Sequence, residues 1–226
     1  MTKLQQITIK EFDQRFYLSE EGVYYPSVTH VLSCAYPNDP GLTKWIGSVG
    51  NEEAEKIRDE AGEMGSKVHG MIDRMIKGEK VENKDLKIKE KRALKAFSDW
   101  WKEQEPMVLS TEYQICNATE GYAGTVDLKC RLKEDDHKSI WLIDYKTSNS
   151  IHEKHKCQVA AYMAADEEVE KCALLHLANK TKKRFSFLEV DFDKYKKRFS
   201  YALIFFKELY PNAKPTEEAY PEFFSL

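Results

Sequence analysis

Apolar positions along the chain change their period several times, and each change marks an element. In the first 25 residues they come in short groups, Phe16-Tyr17-Leu18 and Val23-Tyr24-Tyr25, on either side of Glu20-Glu21-Gly22. That is the pattern of a small hairpin. Pro26 then restricts the chain, and Ser27 or Thr29 is placed to cap a helix through Val31 and Leu32. Pro37-Asn38-Asp39-Pro40-Gly41 is a strong break. From 42 to 77 the spacing is helical, with interruptions expected at Gly47 and Gly50 and weaker ones at Gly62 and Gly65. Val68, Met71, Ile72, Met75 and Ile76 recur at intervals of three and four, which predicts one buried face, and Gly78 is the expected stop. Ile88, Ala93, Leu94, Phe97, Trp100 and Trp101 mark another amphipathic helix that ends before Pro106.

Beyond Pro106 the pattern shortens. Residues 112–116 and 122–132 read as strands joined by the turn Asn117-Ala118-Thr119-Glu120-Gly121, and residues 141–146 as a third. A helix is predicted over 153–166, strands over 172–178 and 185–190, and a last helix over 195–209 with Phe199, Leu203, Phe206 and Leu209 on one face. The order of helices, three-stranded meander, helix, two strands and helix predicts an α/β fold around a mixed sheet. One domain is expected over 1–226: a hairpin and helical region (1–106), a core (107–210) and an acidic, proline-bearing, aromatic-ended tail (211–226) that wraps the surface or stays disordered.

Composition narrows the class. The chain has 226 residues, 42% of them hydrophobic, enough for one substantial core. No run of about 18 apolar residues is present, so no membrane span is expected, and residues 1–10 lack the apolar run of a secretory signal. Cys34, Cys116, Cys130, Cys157 and Cys172 are unevenly spaced without a Cys-x-x-Cys pair, which argues against a disulfide framework or thiolate zinc site and suits a reducing interior. A cytoplasmic location is expected. The net charge of −3 gives no global support for nucleic-acid binding. Basic residues do cluster locally, at Lys180, Lys182, Lys183 and Arg184, at Lys194, Lys196, Lys197 and Arg198, and along Lys84, Lys87, Lys89, Lys91, Arg92 and Lys95; solvated faces explain each of these as well.

The chemistry concentrates in two short segments, Gly124-Thr125-Val126-Asp127 and Ile143-Asp144-Tyr145-Lys146. On a strand Asp144 and Lys146 project to one side and Tyr145 to the other. If strands 122–132 and 141–146 are neighbours, Asp127 meets that pair. A carboxylate on an apolar run is costly unless paired or metal-bound; the structural alternative is a buried cluster with Lys146. Two carboxylates suit a hard cation such as Mg²⁺, leaving coordination positions for water and phosphate, while an adjacent ammonium orients a nucleophile and stabilises developing anionic charge. Gly121 and Gly124 fit a turn and a close backbone approach. His152 and His155 read as surface residues.

These segments, with others in order along the chain, resemble the PD-(D/E)XK nuclease superfamily, in particular its RecB-like exonuclease branch. Gln158-Val159-Ala160-Ala161-Tyr162 matches the branch's Gln-x-x-x-Tyr element, Ala61-Gly62-Glu63-Met64-Gly65-Ser66-Lys67-Val68-His69 its helical motif ending in a metal-binding histidine, and Pro26-Ser27-Val28-Thr29 its initial segment. The matches span about residues 26–162. Val126 stands where the superfamily name has proline, Asp144 stands for Glu, and no cysteine follows Cys172, so the iron–sulfur cluster of some relatives is not expected.

The resemblance implies a restriction-endonuclease-like core, a central mixed β-sheet flanked by helices, with an N-terminal helical region. It implies a metal-dependent DNA exonuclease acting on DNA with a free end and leaving a 5′-phosphate. Asp127, Asp144 and Lys146 would be catalytic. His69, Asp127, Asp144 and the Tyr145 carbonyl would hold Mg²⁺ or Mn²⁺, the histidine tilting preference toward Mn²⁺. Gln158 and Tyr162, four apart on one helix face, would look onto the site, and Glu112 would be an extra metal or supporting group. The rival expectations are a structure-selective endonuclease of the same fold and an inactive nucleic-acid-binding accessory protein.

Overall fold

In the computed structural model, residues 4–9, 14–37, 40–177 and 184–216 are described. The chain opens with a small antiparallel sheet of β1 (Leu4–Ile9), β2 (Gln14–Ser19) and β3 (Tyr24–Pro26). The expected hairpin is its β2–β3 half, closed by Gly22 at φ +78°, where a Cβ would be strained. β1 was not anticipated. Ser27 caps α1 (Val28–Ala35), its hydroxyl accepting the His30 N–H at 3.0 Å. The segment 42–77 divides into α2 (Pro40–Val49) and the 26-residue α3 (Asn51–Ile76). Gly50, at φ +89°, makes the break. The interruptions expected at Gly47, Gly62 and Gly65 do not occur. A helical glycine costs about 1 kcal/mol rather than ending the helix, and the bare Gly65 backbone leaves room for Thr147, whose Oγ1 would lie 3.3 Å from an added Cβ.

After α4 (Ile88–Gln104) the main sheet forms from β4 (Met107–Asn117), β5 (Tyr122–Arg131), β6 (Trp141–Lys146), β7 (Lys171–His176) and β8 (Ser186–Glu189), in that spatial order. Within this sheet β6 and β7 pair in parallel and the other neighbours antiparallel, and α5 (Glu153–Met163) is the crossover between β6 and β7. α6 (Phe192–Leu209) closes the described fold. β4 is longer than predicted because its first residues, Met107 to Leu109, pair or lie along the strand while remaining exposed. Lys180, Lys182, Lys183 and the end of the tail lie outside the described residues.

The result is an α/β arrangement with a five-stranded mixed sheet and, among the described residues, six α-helices. No described helix is long and apolar enough to cross a membrane. Each face of the sheet has its own core. Leu142 and Leu174 pack with Val31 of α1, Val159 of α5 and Phe199 of α6. Trp141, Ile143, Ala173 and Leu175 pack with Ile72 of α3 and Phe97 and Trp100 of α4. Ile88 and Leu209, expected on buried faces, are exposed at the outer ends of their helices. The small sheet joins the large one through the Ser27–Ala123 bridge and a 2.9 Å hydrogen bond between the Tyr17 and Thr125 hydroxyls.

The pairing of β4 with β5 shifts register between Val108 and Ser110, and further along, in unbroken register, both strands change face. Val126 belongs to the α1/α5/α6 core and Leu128 to the α3/α4 core, although a regular pleat puts residues two apart on the same face. Their partners switch with them: Tyr113, opposite Val126, packs on the first core, and Thr111, opposite Leu128, donates to Asp73 of α3 at 2.7 Å. Between these pairs sit Asp127 and Glu112, and Glu112 has φ +46°. The slip of the pleat therefore falls on two acidic residues.

Gly124 confirms the close approach read from the sequence: an added Cβ would stand 2.4 Å from Cε1 of Tyr162. Gly124→Ala should cost about 1–3 kcal/mol by overpacking, read by urea unfolding. Because the obstruction is one ring, the double variant with Tyr162→Ala should lose clearly less than the sum of the two single losses.

Candidate metal centre

Asp127 is buried where the β5–β6 ladder ends. Cross-strand pairing runs from Cys130–Trp141 to Leu128–Ile143 and stops there. One residue further on, the Asp127 side chain replaces the ladder: its Oδ2 accepts the Tyr145 N–H at 2.6 Å. Its Oδ1 faces Nδ1 of His69 at 3.1 Å, and the His69 ring stands edge-on to Tyr145 with centroids 5.5 Å apart. α3 supplies His69 one turn after the Gly65 contact, on the stretch where Val68, Met71 and Ile72 anchor the helix to the sheet.

On the other side of Tyr145, regular alternation sends Asp144 and Lys146 toward α5. Lys146 Nζ lies 2.6 Å from Asp144 Oδ2 and donates to Gln158 Oε1 at 3.0 Å. Gln158 Nε2 in turn lies 3.0 Å from both Asp144 Oδ1 and the Tyr162 hydroxyl. An ammonium on one amide atom and a carboxylate on the other leave one orientation for that amide. Asp144 Oδ2, although ion-paired, has no well-aligned hydrogen bond and is buried.

Expectation and structure agree on much of this geometry. His69 contacts Asp127 and Lys146 contacts Asp144, the two pairs act on each other's charge, and Gln158 and Tyr162 meet the second pair from α5. The ligand atoms that lie together, within 4.8 Å of one another, belong to His69, Glu112 and Asp127. Glu112, read from sequence as an extra or supporting group, thus stands in the principal cluster, whereas Asp144 engages Lys146 and Gln158. Tyr145 contributes its N–H to Asp127, and its ring is buried in the α3/α4 core. His155, read as a surface residue, is instead half-buried near Lys146. Its position three before Gln158 on the same helix was the available signal.

The electrostatics fit a cation. Although Glu112 is an exposed residue, partial desolvation of its carboxyl pushes it up to about 7, and the Asp127 charge adds to this. Burial likewise lifts Asp144 to about 6, with Asp127 reinforcing and Lys146 opposing. For Asp127 burial also acts upward, but His69, Lys146 and the Tyr145 N–H together outweigh it and hold the carboxyl below its ordinary value. For His69 burial acts downward, and Asp127 outweighs it, so the imidazole is raised. One nitrogen and two carboxylate donors are a hard set of the kind that holds a divalent cation. His69, Glu112 and Asp127 can therefore hold a metal ion.

No family model matches the chain, and no curated protein matches it. Among solved structures, that of SSO0001 is similar over 79% of this chain and 83% of its own, at 16% identity and a TM-score of 0.35. A likeness at that level carries no argument.

The cluster yields two measurable outcomes. Glu112 and Asp144 bind protons more tightly folded than unfolded, so below about pH 3.8 their contribution is flat and between about pH 3.8 and 7 it turns destabilising as they ionise. Chelator-treated protein should therefore lose Tm across that window, and Mn²⁺ should raise Tm more at pH 8 than at pH 5. Equal Mn²⁺ shifts at both pH values would count against ligation by these carboxylates. Separately, Glu112→Gly relieves an L-residue at positive φ, a conformation costing about 1–2 kcal/mol. Chelator-treated Glu112→Gly should be at least as stable as the parent while binding Mn²⁺ about tenfold or more weakly by calorimetry.

Proposed function

We propose that this protein is a divalent-metal-dependent DNA exonuclease of the RecB-like branch of the PD-(D/E)XK superfamily, built on a restriction-endonuclease-like core. The observation that carries the reading is that two pairs on neighbouring strands, Asp127 with His69 and Asp144 with Lys146, lie close enough for each to act on the other's charge, with Gln158 on Lys146. Such a set joins a cation site to an ammonium that reaches a phosphate or water beside it.

In this reading His69, Glu112 and Asp127 hold Mg²⁺ or Mn²⁺, with Asp144 and the Tyr145 carbonyl completing the ligands on the β6 side. The bound ion would supply Lewis acidity to a phosphate oxygen and lower the pKa of water. Lys146 orients the attacking water and stabilises charge developing on phosphorus oxygens. Gln158 and Asp144 fix the ammonium, which otherwise sweeps a wide arc on a flexible stem. Tyr162 fixes Gln158. Hydrolysis expels the 3′-oxygen and leaves a 5′-phosphate. The free-end requirement is what the family resemblance implies, since fold does not dictate substrate.

Linear and circular DNA, single- and double-stranded, incubated with Mg²⁺, Mn²⁺ or EDTA, test it. Metal-dependent loss of linear DNA with circles intact is expected. Cutting of circles would convert the reading to an endonuclease, and no cleavage under any metal would convert it to a binding accessory. Lys146→Ala should lower turnover about 10²-fold or more with Mn²⁺ affinity nearly unchanged, whereas Asp127→Ala should lose both. Undiminished Mn²⁺ affinity in the Asp127 variant would remove that residue from the ligand set.

A further inference from the structure

His155 lies in the third position of α5, three residues before Gln158 and seven before Tyr162, so all three share one helix face. That face is the one that meets Lys146, since Gln158 accepts from its ammonium. The His155 ring is fixed at one end by the helix itself: its Nδ1 accepts the backbone N–H of His152 at 3.2 Å. A nitrogen that accepts a backbone N–H carries no proton, so the proton of the neutral ring sits on Nε2. Nε2 makes no hydrogen bond to another described residue. Burial first, and then Lys146 as the foremost charged neighbour, hold the imidazole far below its ordinary value, at about 2. The ring is thus a neutral donor at all working pH values, with an N–H that no described residue takes up, on the helix face that meets the ammonium assigned to the phosphate.

We infer that His155 is a substrate-binding donor: its Nε2–H binds a non-bridging oxygen of the phosphodiester next to the one that Lys146 reaches. This rests on the nuclease reading and adds to it a second contact on the same phosphate. A neutral donor suits the place. A second cation there would repel Lys146, whereas an imidazole N–H adds a hydrogen bond to an anion without changing the local charge.

The alternative role for His155 is purely structural, as a cap of α5, and side-chain isosteres separate the two. His155→Asn keeps an acceptor near the Nδ1 position and removes the Nε2 donor. His155→Gln places an amide N–H near the Nε2 position and removes the cap acceptor. Affinity for a short oligothymidylate with Ca²⁺, KM and kcat with Mn²⁺, and Tm are measured for the parent and both variants. The donor role requires His155→Asn to keep Tm while affinity weakens and KM rises about tenfold or more, and His155→Gln to lose Tm while retaining most of the affinity. Affinity that follows Tm instead, weak in the Gln variant and normal in the Asn variant, overturns it, as does equal affinity in all three. Mn²⁺ affinity should be the same in all three, and its loss in His155→Asn would make the residue a metal ligand instead. Oligothymidylate binding that depends on His155 without cleavage would leave the donor standing and remove the nuclease. Cleavage with an unaltered KM in His155→Asn would do the reverse, and parent protein that neither binds nor cleaves would remove both.

Discussion

The hydrogen bond from the Tyr145 N–H to the Asp127 carboxylate holds the site together, because it stands where a backbone ladder would otherwise continue. Two antiparallel strands that stayed paired beyond Leu128 and Ile143 would bring backbone to backbone and leave no gap for an ion. The pleat slip lets β5 diverge from β6 by one step, and the Asp127 side chain spans the opening. A buried backbone N–H is thereby satisfied, and the carboxylate is locked with its second oxygen toward His69. The same slip brings Glu112 to Asp127 and His69 at a positive φ that the rest of β4 does not share. Strain of this kind persists where surrounding structure over-determines it, and here the fixed neighbours are the Tyr113 and Thr111 contacts on opposite faces.

Charge explains why such an arrangement favours a cation. Three acidic groups approach one another while the neighbouring cations are one ammonium and one histidine. Protons take up part of the imbalance on Glu112 and Asp144, whose carboxyls desolvation lifts to about 7 and about 6. A divalent ion relieves the same repulsion at a pH where protons no longer do. Binding energy and the local cost of the folded state are then two views of one term. An all-apolar replacement of the cluster would often be easier to fold, so stability alone does not account for its presence in a packed sheet.

Legibility in the sequence followed the regularity of the backbone. Residues 141–146 alternate without interruption, so β6 and the common side of Asp144 and Lys146 were readable from the period alone. The pairing of β5 with β6, and Gln158 with Tyr162 on one face of α5, followed from order and spacing. What could not be read were departures from period. Nothing in Ser110-Thr111-Glu112-Tyr113 announces a positive φ, since neither glycine nor asparagine stands there. Glu112 consequently looked like a surface glutamate as much as a ligand, and it is an exposed residue that nonetheless stands within reach of His69 and Asp127. Gly62 and Gly65 erred the other way, as breakers by propensity that the anchoring of α3 on the sheet overrides. His155 was missed because a histidine near a helix start carries no signal of burial, although its spacing to Gln158 did.

The parallel pairing of β6 with β7 makes Gln158 more than an incidental partner of Lys146. Parallel neighbours require a crossover, and α5, the helix that supplies it, lies over the face bearing Leu142, Asp144 and Lys146. Val159 and Ala160 of that helix are packed in the same core as Leu142 and Leu174, so the helix has little freedom to slide. Its polar residues therefore arrive at Lys146 as a rigid row, and Gly124 admits the Tyr162 ring at the end of that row. An ammonium so held has lost its rotamer freedom before any substrate binds, which is the condition under which a flexible lysine acts as a positioned group rather than a mobile charge. The apolar packing of the crossover and the polar geometry of the site are in this sense a single structure: crowding the first by one methyl group at Gly124 displaces the second.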